Sequence, residues 1–302
     1  MFYDRYDYSL LCNKGFKMMD EKDLEEYHNI GKAIKKSEKY NYISGKQITD
    51  PGTGKRVYEV NNYRLPSVTT ILGATKDQEF LKKWKAKVGE AEAERIKNVS
   101  SSRGTLVHKF MEHHILGTGY DDLTQLGQQA KAMAAKIIDV GLTPVEEYFG
   151  SEVMLKYSGL FAGSCDLVCK HDGIETVVDF KQSNRPKRDE WVTDYKLQCA
   201  MYALAHDDQH KSNIEQCVIM MVTPDLYYQE WKLKGDELRH CKHEALKRID
   251  RFYEMKRDEK ENAKVEIKEQ DFLERAEQEK KELAESYKES LRQANERKFN
   301  EQ

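Results

Sequence analysis

The stretch GSCDLVCKHDGIETVVDFKQS, residues 163–183, decides how the chain folds. Two β-rich runs, 160–169 and 176–181, flank His171-Asp172-Gly173, a turn signal that reverses a strand. The two runs read as an antiparallel pair that brings Asp166 beside Asp179. Side chains alternate along a strand, so Asp179 and Lys181 leave the same face. Two carboxylates and an ammonium therefore meet at one sheet edge.

Outward from this pair, 152–157 reads as the preceding strand, opened by Glu152, which completes a meander. Helical periodicity at 191–206 leads to two strands, 217–223 and 227–233, split by Pro224-Asp225, and then to a helix over about 236–255. Upstream, Ser67 is placed to cap a helix entered at Val68. Further helices are expected over 78–98, 103–118 and 124–140, before a break at Gly141-Leu142-Thr143-Pro144. Turn chemistry at Asp50-Pro51-Gly52 and alternation through Val57, Tyr58 and Val60 suggest a short hairpin. The Gly52-Thr53-Gly54-Lys55 within it is no phosphate loop, because its glycines are too close and no Ser or Thr follows the lysine. The order of helices, three strands, helix, strands and helix implies an α/β (α+β) sheet with helices on its faces. The chain divides into a polar segment with a hairpin at 1–60, a core at 61–255 and a charged tail at 256–302.

Charge sets limits on partners. The 302 residues include 50 Lys and Arg against 53 Asp and Glu, net −3, which excludes a basic protein that coats nucleic acid through its overall field. Any such contact must come from a local basic groove. The tail holds 12 Lys and Arg against 14 Asp and Glu, and its heptad-like seam of Leu273, Ala276, Leu283, Tyr287 and Ala294 is broken by Lys280. A solvated helix is expected there rather than a coiled coil. No run approaches about 18 apolar residues, so no transmembrane helix and no membrane partner are expected. The first residues, MFYDRYDYSLLCNKGF, lack the basic-then-apolar order of a secretory signal, and Asp4 and Asp7 are unlike an organellar transit peptide. Six scattered cysteines suggest reduced thiols, and the cytoplasm is the expected compartment.

Adjacent carboxylates repel, and burying them is unfavourable without a proton or cation. A lone Asp-x-Lys on a strand would ordinarily be a surface ion pair. Here it interrupts the apolar run Val177-Val178-Asp179-Phe180-Lys181, where a general base pair or a metal cage is the economical account. Hard oxygen ligands favour Mg²⁺ or Mn²⁺, which can activate a water and offset charge on a phosphate. Lys181 is placed to orient the nucleophile or stabilise the phosphorane, and phosphodiester hydrolysis needs this combination.

The ordered set Glu152, Gly163-x-x-Asp166, Asp179-x-Lys181 and Gln198-x-x-x-Tyr202 resembles the PD-(D/E)xK nuclease superfamily in its RecB-like branch. Arg103-Gly104-x-x-x-His108 matches that branch's upstream helical histidine. Pro66-Ser67-Val68-Thr69, Lys83-Trp84-Lys85, Tyr157-x-Gly159 and the Pro186-Lys187 pair are similar to the group containing the mitochondrial genome maintenance exonuclease and related phage exonucleases. The likeness covers roughly 60–255. It implies a restriction-endonuclease-like core with a central mixed sheet flanked by helices, to which the composition adds a long charged C-terminal helix. It also implies metal ligands at His108, Asp166, Asp179 and the Phe180 carbonyl, with Lys181 as the catalytic lysine. Gln198 and Tyr202 would hold the site and the DNA, and Glu152 would take a second metal or a water.

Strand binding is expected from two basic, aromatic-containing stretches. One includes Trp84 among lysines at 82–87; the other holds Ser183, Arg185 and Lys187, with Trp191 just beyond. Arg103 is a further phosphate candidate. The cysteine spacing departs from the branch's cluster type, so no Fe–S centre is expected. The leading expectation is a Mg²⁺-dependent exonuclease on single-stranded or end-bearing DNA, serving replication, recombination or repair in a bacterial or phage-infected cell. Two alternatives stay open: a non-catalytic DNA-binding or assembly factor whose tail docks a replication or recombination protein, and an endonuclease of the same fold.

Overall fold

The computed structural model describes residues 34–300, so Cys12 and the rest of 1–33 lie outside the described residues. By contacts the chain forms two compact units, divided between Leu246 and Lys247. The first is built on a mixed sheet of six strands: β1 (Lys35–Lys36), β5 (Val145–Tyr157), β6 (Phe161–His171), β7 (Ile174–Gln182), β8 (Gln216–Val222) and β9 (Tyr228–Lys234). They lie side by side in the order β1-β5-β6-β7-β8-β9. β5, β6 and β7 form the expected antiparallel meander, β8 runs parallel to β7, and β9 returns antiparallel. The β6–β7 turn places Asp172 and Gly173 at φ 51° and 77°, the left-handed conformation that Asp and Gly tolerate best.

Parallel neighbours need a crossover, and α5 (Thr193–His210) supplies it between β7 and β8. The other face of the sheet carries α3 (Glu90–Ile115) and α4 (Gln125–Gly141). Val107, Met111, Met133 and Ile137 from these helices pack on Leu167, Val178, Phe180 and Met220. Each such side chain contributes roughly 1.5–3 kcal/mol on burial. Thr124 caps α4 by accepting from the Gly127 N–H.

A second sheet contains β2 (Lys46–Thr49), β3 (Arg56–Val60) and β4 (Tyr63–Pro66), all antiparallel. The expected hairpin is thus one half of a three-stranded sheet. Asp50 closes its first turn by accepting from the Gly52 and Thr53 N–H groups, and Asn61 and Asn62 turn the second at φ 49° and 65°. Tyr58, Val60 and Leu65 bury this sheet against Ala162 of β6. Helix α1 (Val68–Thr75) follows, capped as expected by Ser67 accepting from the Thr70 N–H.

Three boundaries differ from expectation. The 78–98 and 103–118 helices are instead α2 (Glu79–Val88) and the 26-residue α3, parted at Gly89 with φ 85°. The serines at 100–102 resemble a helix start, but Arg103 beside them is buried in side-chain contacts that hold this part of α3 helical. Glu152 lies inside the 13-residue β5 rather than opening it. It follows a register irregularity after Tyr148 and adopts φ 51°, which lets it interrupt the strand without ending it. Finally, the two aspartates occupy interior strands of the sheet, not its edge.

The last helix, α6 (Gly235–Asn300), begins in the first unit and runs unbroken to the end of the described residues, forming the second unit beyond Leu246. The tail is helical, as its composition suggested.

Candidate active site

β6 pairs with β7 only from Leu167 to His171, while 161–165 pairs with β5 and 179–182 pairs with β8. The two strands therefore fork at Asp166 and Asp179. A fork leaves main-chain groups without a ladder partner, and Asp166 answers one of them: its Oδ2 accepts from the Phe180 N–H at 2.7 Å. The same contact fixes the Asp166 carboxylate at the notch.

His108 comes to the notch from α3. Its Nδ1 lies 3.4 Å from Asp166 Oδ1 and 3.7 Å from Glu152 Oε1. Glu152 is steadied by Ser164, whose hydroxyl donates to its Oε2 at 2.7 Å. The positive φ of Glu152 turns its carboxylate into this group, a local strain retained where it aims a functional side chain. One donor atom from each of His108, Glu152 and Asp166 lies within 4.8 Å of the other two.

Asp179 is fully buried and ion-pairs with Lys181. Its Oδ1 has no hydrogen-bond partner among the described residues. Burial pushes its carboxyl up to about 6; Lys181 offsets part of this and Asp166 adds to it. Burial alone would lower the Lys181 ammonium, but Asp179 and Asp166 hold it as a cation above its ordinary value. Burial also opposes ionisation of Asp166, yet His108, Lys181 and the Phe180 N–H outweigh it and keep the carboxyl below the usual range. Burial disfavours charge on His108 as well, but Asp166 and Glu152 raise it to about 10. Without a metal, His108 and Lys181 supply at most two positive charges against the three carboxylates of Glu152, Asp166 and Asp179.

That balance fits a divalent cation. The donors are carboxylates with one imidazole, and a deeply buried carboxylate oxygen lacks any partner. His108, Glu152 and Asp166 already converge; Asp179 lies beneath Lys181, and the Phe180 main chain is beside Asp166.

The group forms the floor of a cavity of about 690 Å³. Gln198 and Tyr202 line it, their side chains 3.5 Å apart on α5. Gly163 lets α5 approach: a Cβ there would stand 2.8 Å from the Tyr202 ring. The opposite wall is Gln47, Arg56 and Tyr58 from the small sheet, with Ser67 and Thr69 at the start of α1. Gln47, Arg56 and Tyr58 escaped the sequence reading as site residues because about a hundred residues separate them from Asp166, whereas Ser67 and Thr69 lie in the Pro66-Ser67-Val68-Thr69 match. Tyr195 was also missed; it lines the cavity and lies beneath the Lys181 ammonium, 5.3 Å from ring centroid to Nζ. Its spacing from Gln198 and Tyr202 on one helix was the available signal.

The other expected contacts fall elsewhere. Arg103 is buried, and its guanidinium donates to the side-chain oxygens of Gln182 at 2.9 Å, Gln129 at 3.4 Å and Asn184. Gln182 donates onward to the Ser100 carbonyl at 2.8 Å, tying the end of β7 to α3. Trp84 is half-buried on α2, and Ser183, Arg185 and Lys187 lie past the end of β7; none of these four lines the cavity.

The model of the PD-(D/E)XK nuclease superfamily matches residues 80–300. Among solved structures, a protein of Eubacterium rectale described provisionally as an exonuclease is similar at 15% identity and a TM-score of 0.37, over 51% of this chain and 67% of that one. A second, SSO0001, is similar at 16% identity and a TM-score of 0.24, over 48% of this chain and 84% of the other. No curated protein matches the chain. Among the described residues no helix is long and apolar enough to cross a membrane.

Proposed function

The chain belongs to the PD-(D/E)XK nuclease superfamily, and from that premise we propose that it is a Mg²⁺- or Mn²⁺-dependent exonuclease acting on single-stranded DNA. One observation carries the reading: the buried Asp179–Lys181 pair, with its unpartnered carboxylate oxygen, adjoins His108, Glu152 and Asp166 at the floor of a cavity. His108, Asp166, Asp179 and the Phe180 carbonyl would hold the cation, with Glu152 completing the set or holding a second ion. When bound, the cation supplies Lewis-acid polarisation of the phosphate and offsets the charge that builds during hydrolysis.

The chain's own residues do the rest. Asp179 keeps the Lys181 ammonium charged and in place, so it can donate to the incoming water or to a phosphate oxygen as negative charge develops. The Phe180 N–H and Ser164 hydroxyl each hold one carboxylate in its working orientation. Gln198 and Tyr202 line the space where the strand would lie. A cavity of about 690 Å³ suits one or two nucleotides on the scale of small-molecule pockets, which supports a single strand over a duplex. The wider role proposed is DNA replication, recombination or repair in the cytoplasm of a bacterial or phage-infected cell, with the charged tail as a docking segment for a protein partner.

The test uses linear single strands labelled at the 5′ or 3′ end, a circular single strand and a duplex, each with Mg²⁺, Mn²⁺ or EDTA. The expected result is metal-dependent shortening of linear single strands from an end, with the circle intact. A cut circle would make the protein an endonuclease. Binding without cleavage in either metal would make it a DNA-binding factor.

A further inference from the structure

Trp191 closes a single 3₁₀ turn, Asp189–Trp191, immediately before α5. Its neighbour Val192 is fully buried and anchors the turn, yet Trp191 is 56% exposed. The Arg188 guanidinium lies over its ring, 5.3 Å from the centroid. Exposure of a large aromatic is unfavourable by itself, and a cation over one part of the ring covers little of it.

Position gives this exposure meaning. Trp191 lies in the 3₁₀ turn that leads into α5, four residues before Tyr195, and Tyr195, Gln198 and Tyr202 follow the i, i+3, i+7 spacing of one helix face. The last three line the cavity, and Tyr195 lies under the Lys181 ammonium. Trp191 is not in the lining; it stands outside the cavity, four residues ahead of Tyr195.

Basic side chains flank the turn. Lys76, at the end of α1, reaches Asp194 at the start of α5 at 2.6 Å. Lys187 is half-buried, and no carboxylate pairs with it among the described residues. Burial, and to a lesser degree the nearby Lys76 charge, lower its pKa. The acids beside Trp191 are already engaged, Asp189 with Lys196 at 2.7 Å and Glu190 with Arg188 at 3.9 Å. The segment itself is braced by a two-way contact: Gln229 accepts from the Lys187 N–H at 2.7 Å and donates to its carbonyl at 2.9 Å.

We propose that Trp191, steadied by Arg188, is a stacking platform for an unpaired base of the substrate strand just outside the cavity, with Lys187 and Lys76 taking the adjoining phosphate. The proposal rests on the nuclease reading and adds a binding subsite to it. Stacking is tolerant of base identity, so the platform would hold the strand without reading sequence.

The test compares wild type, Trp191→Ala and Trp191→Phe. Binding of a fluorescent single-stranded oligonucleotide is measured in EDTA, and steady-state cleavage in Mg²⁺. Trp191→Ala is expected to weaken binding and raise KM about tenfold, with a much smaller change in kcat, and Trp191→Phe to recover most of the loss. A series of oligonucleotides with one abasic position each supplies a readout that a structural role would not move: at the position facing Trp191, the difference between wild type and Trp191→Ala should vanish. Equal binding by wild type and Trp191→Ala overturns the proposal, as does an alanine penalty unchanged across the whole abasic series. A wild-type protein that never cleaves would refute the nuclease reading instead, and the EDTA binding comparison would still decide the platform.

Discussion

Replacing Asp179 with Asn tests whether burial or its lysine partner governs the site. Asp179 is fully buried, and its carboxyl is raised from 3.8 to about 6 despite the Lys181 ion pair. At about 1.4 kcal/mol per unit, keeping this group ionised in the metal-free fold costs about 3 kcal/mol. The folded state binds this proton more tightly than the unfolded chain does. The contribution of Asp179 to the stability of the metal-free protein should therefore fall as pH rises through the window from 3.8 to about 6, and the full cost should be present above it. The amide that Asp179→Asn introduces does not titrate. The unfolding free energy of wild type relative to Asp179→Asn, measured by urea denaturation in EDTA, should decrease by about 2.5 kcal/mol between about pH 4 and pH 7.5. Mg²⁺ added at the upper end of that range should then stabilise the wild type far more than the variant. A relative stability that instead increases with pH would mean that Lys181 holds Asp179 below its ordinary value, and the argument for a charge awaiting a cation would fail.

Three further outcomes follow from contacts around the site. Gly163→Ala puts a Cβ 2.8 Å from the Tyr202 ring, so it should cost about 1–3 kcal/mol in urea denaturation and reduce cleavage by displacing Tyr202. Arg103→Met leaves the side-chain oxygens of Gln182, Gln129 and Asn184 without their donor; it should destabilise by about 1–3 kcal/mol, and Arg103→Lys, lacking the fork, should restore only part of this. Glu152→Gly removes a carboxylate held at φ 51°, so cleavage should collapse while thermal stability is unchanged or improved by about 1 kcal/mol; a large loss of stability would show that Glu152 is structural.

The meander, its turn, the α5 crossover and the last two strands of the large sheet were legible because each rests on local signals: alternation, turn residues and helical spacing. Asp166, Asp179 and Lys181 were legible for the opposite reason, since charged residues in apolar strands contradict their surroundings. The break at Gly89 was hidden because the serines at 100–102 give a stronger local stop signal. That signal is overruled by Arg103 meeting Gln182 and Asn184 from a distant part of the chain. The fork between β6 and β7 had no local signature either. It depends on the β6–β7 pairing stopping at Leu167 and Val178 while β6 stays paired to β5 and β7 to β8, and this brings Asp166 to the Phe180 N–H. The same holds for the wall from the small sheet, whose residues acquire a role only when Tyr58 and Leu65 pack on β6. The basic residues after β7, expected to face DNA with Trp191 just beyond them, lie outside the cavity lining.

The most direct test is the cleavage of end-labelled single-stranded DNA in Mg²⁺ by wild type, Asp179→Asn and Lys181→Ala, with circular dichroism confirming that each variant is folded. The account predicts that the wild type degrades the strand, that EDTA abolishes the reaction, and that each folded variant loses at least about a hundredfold in rate, in keeping with the loss of a preorganised charge at the reacting phosphate. Wild-type rates from either folded variant would contradict it.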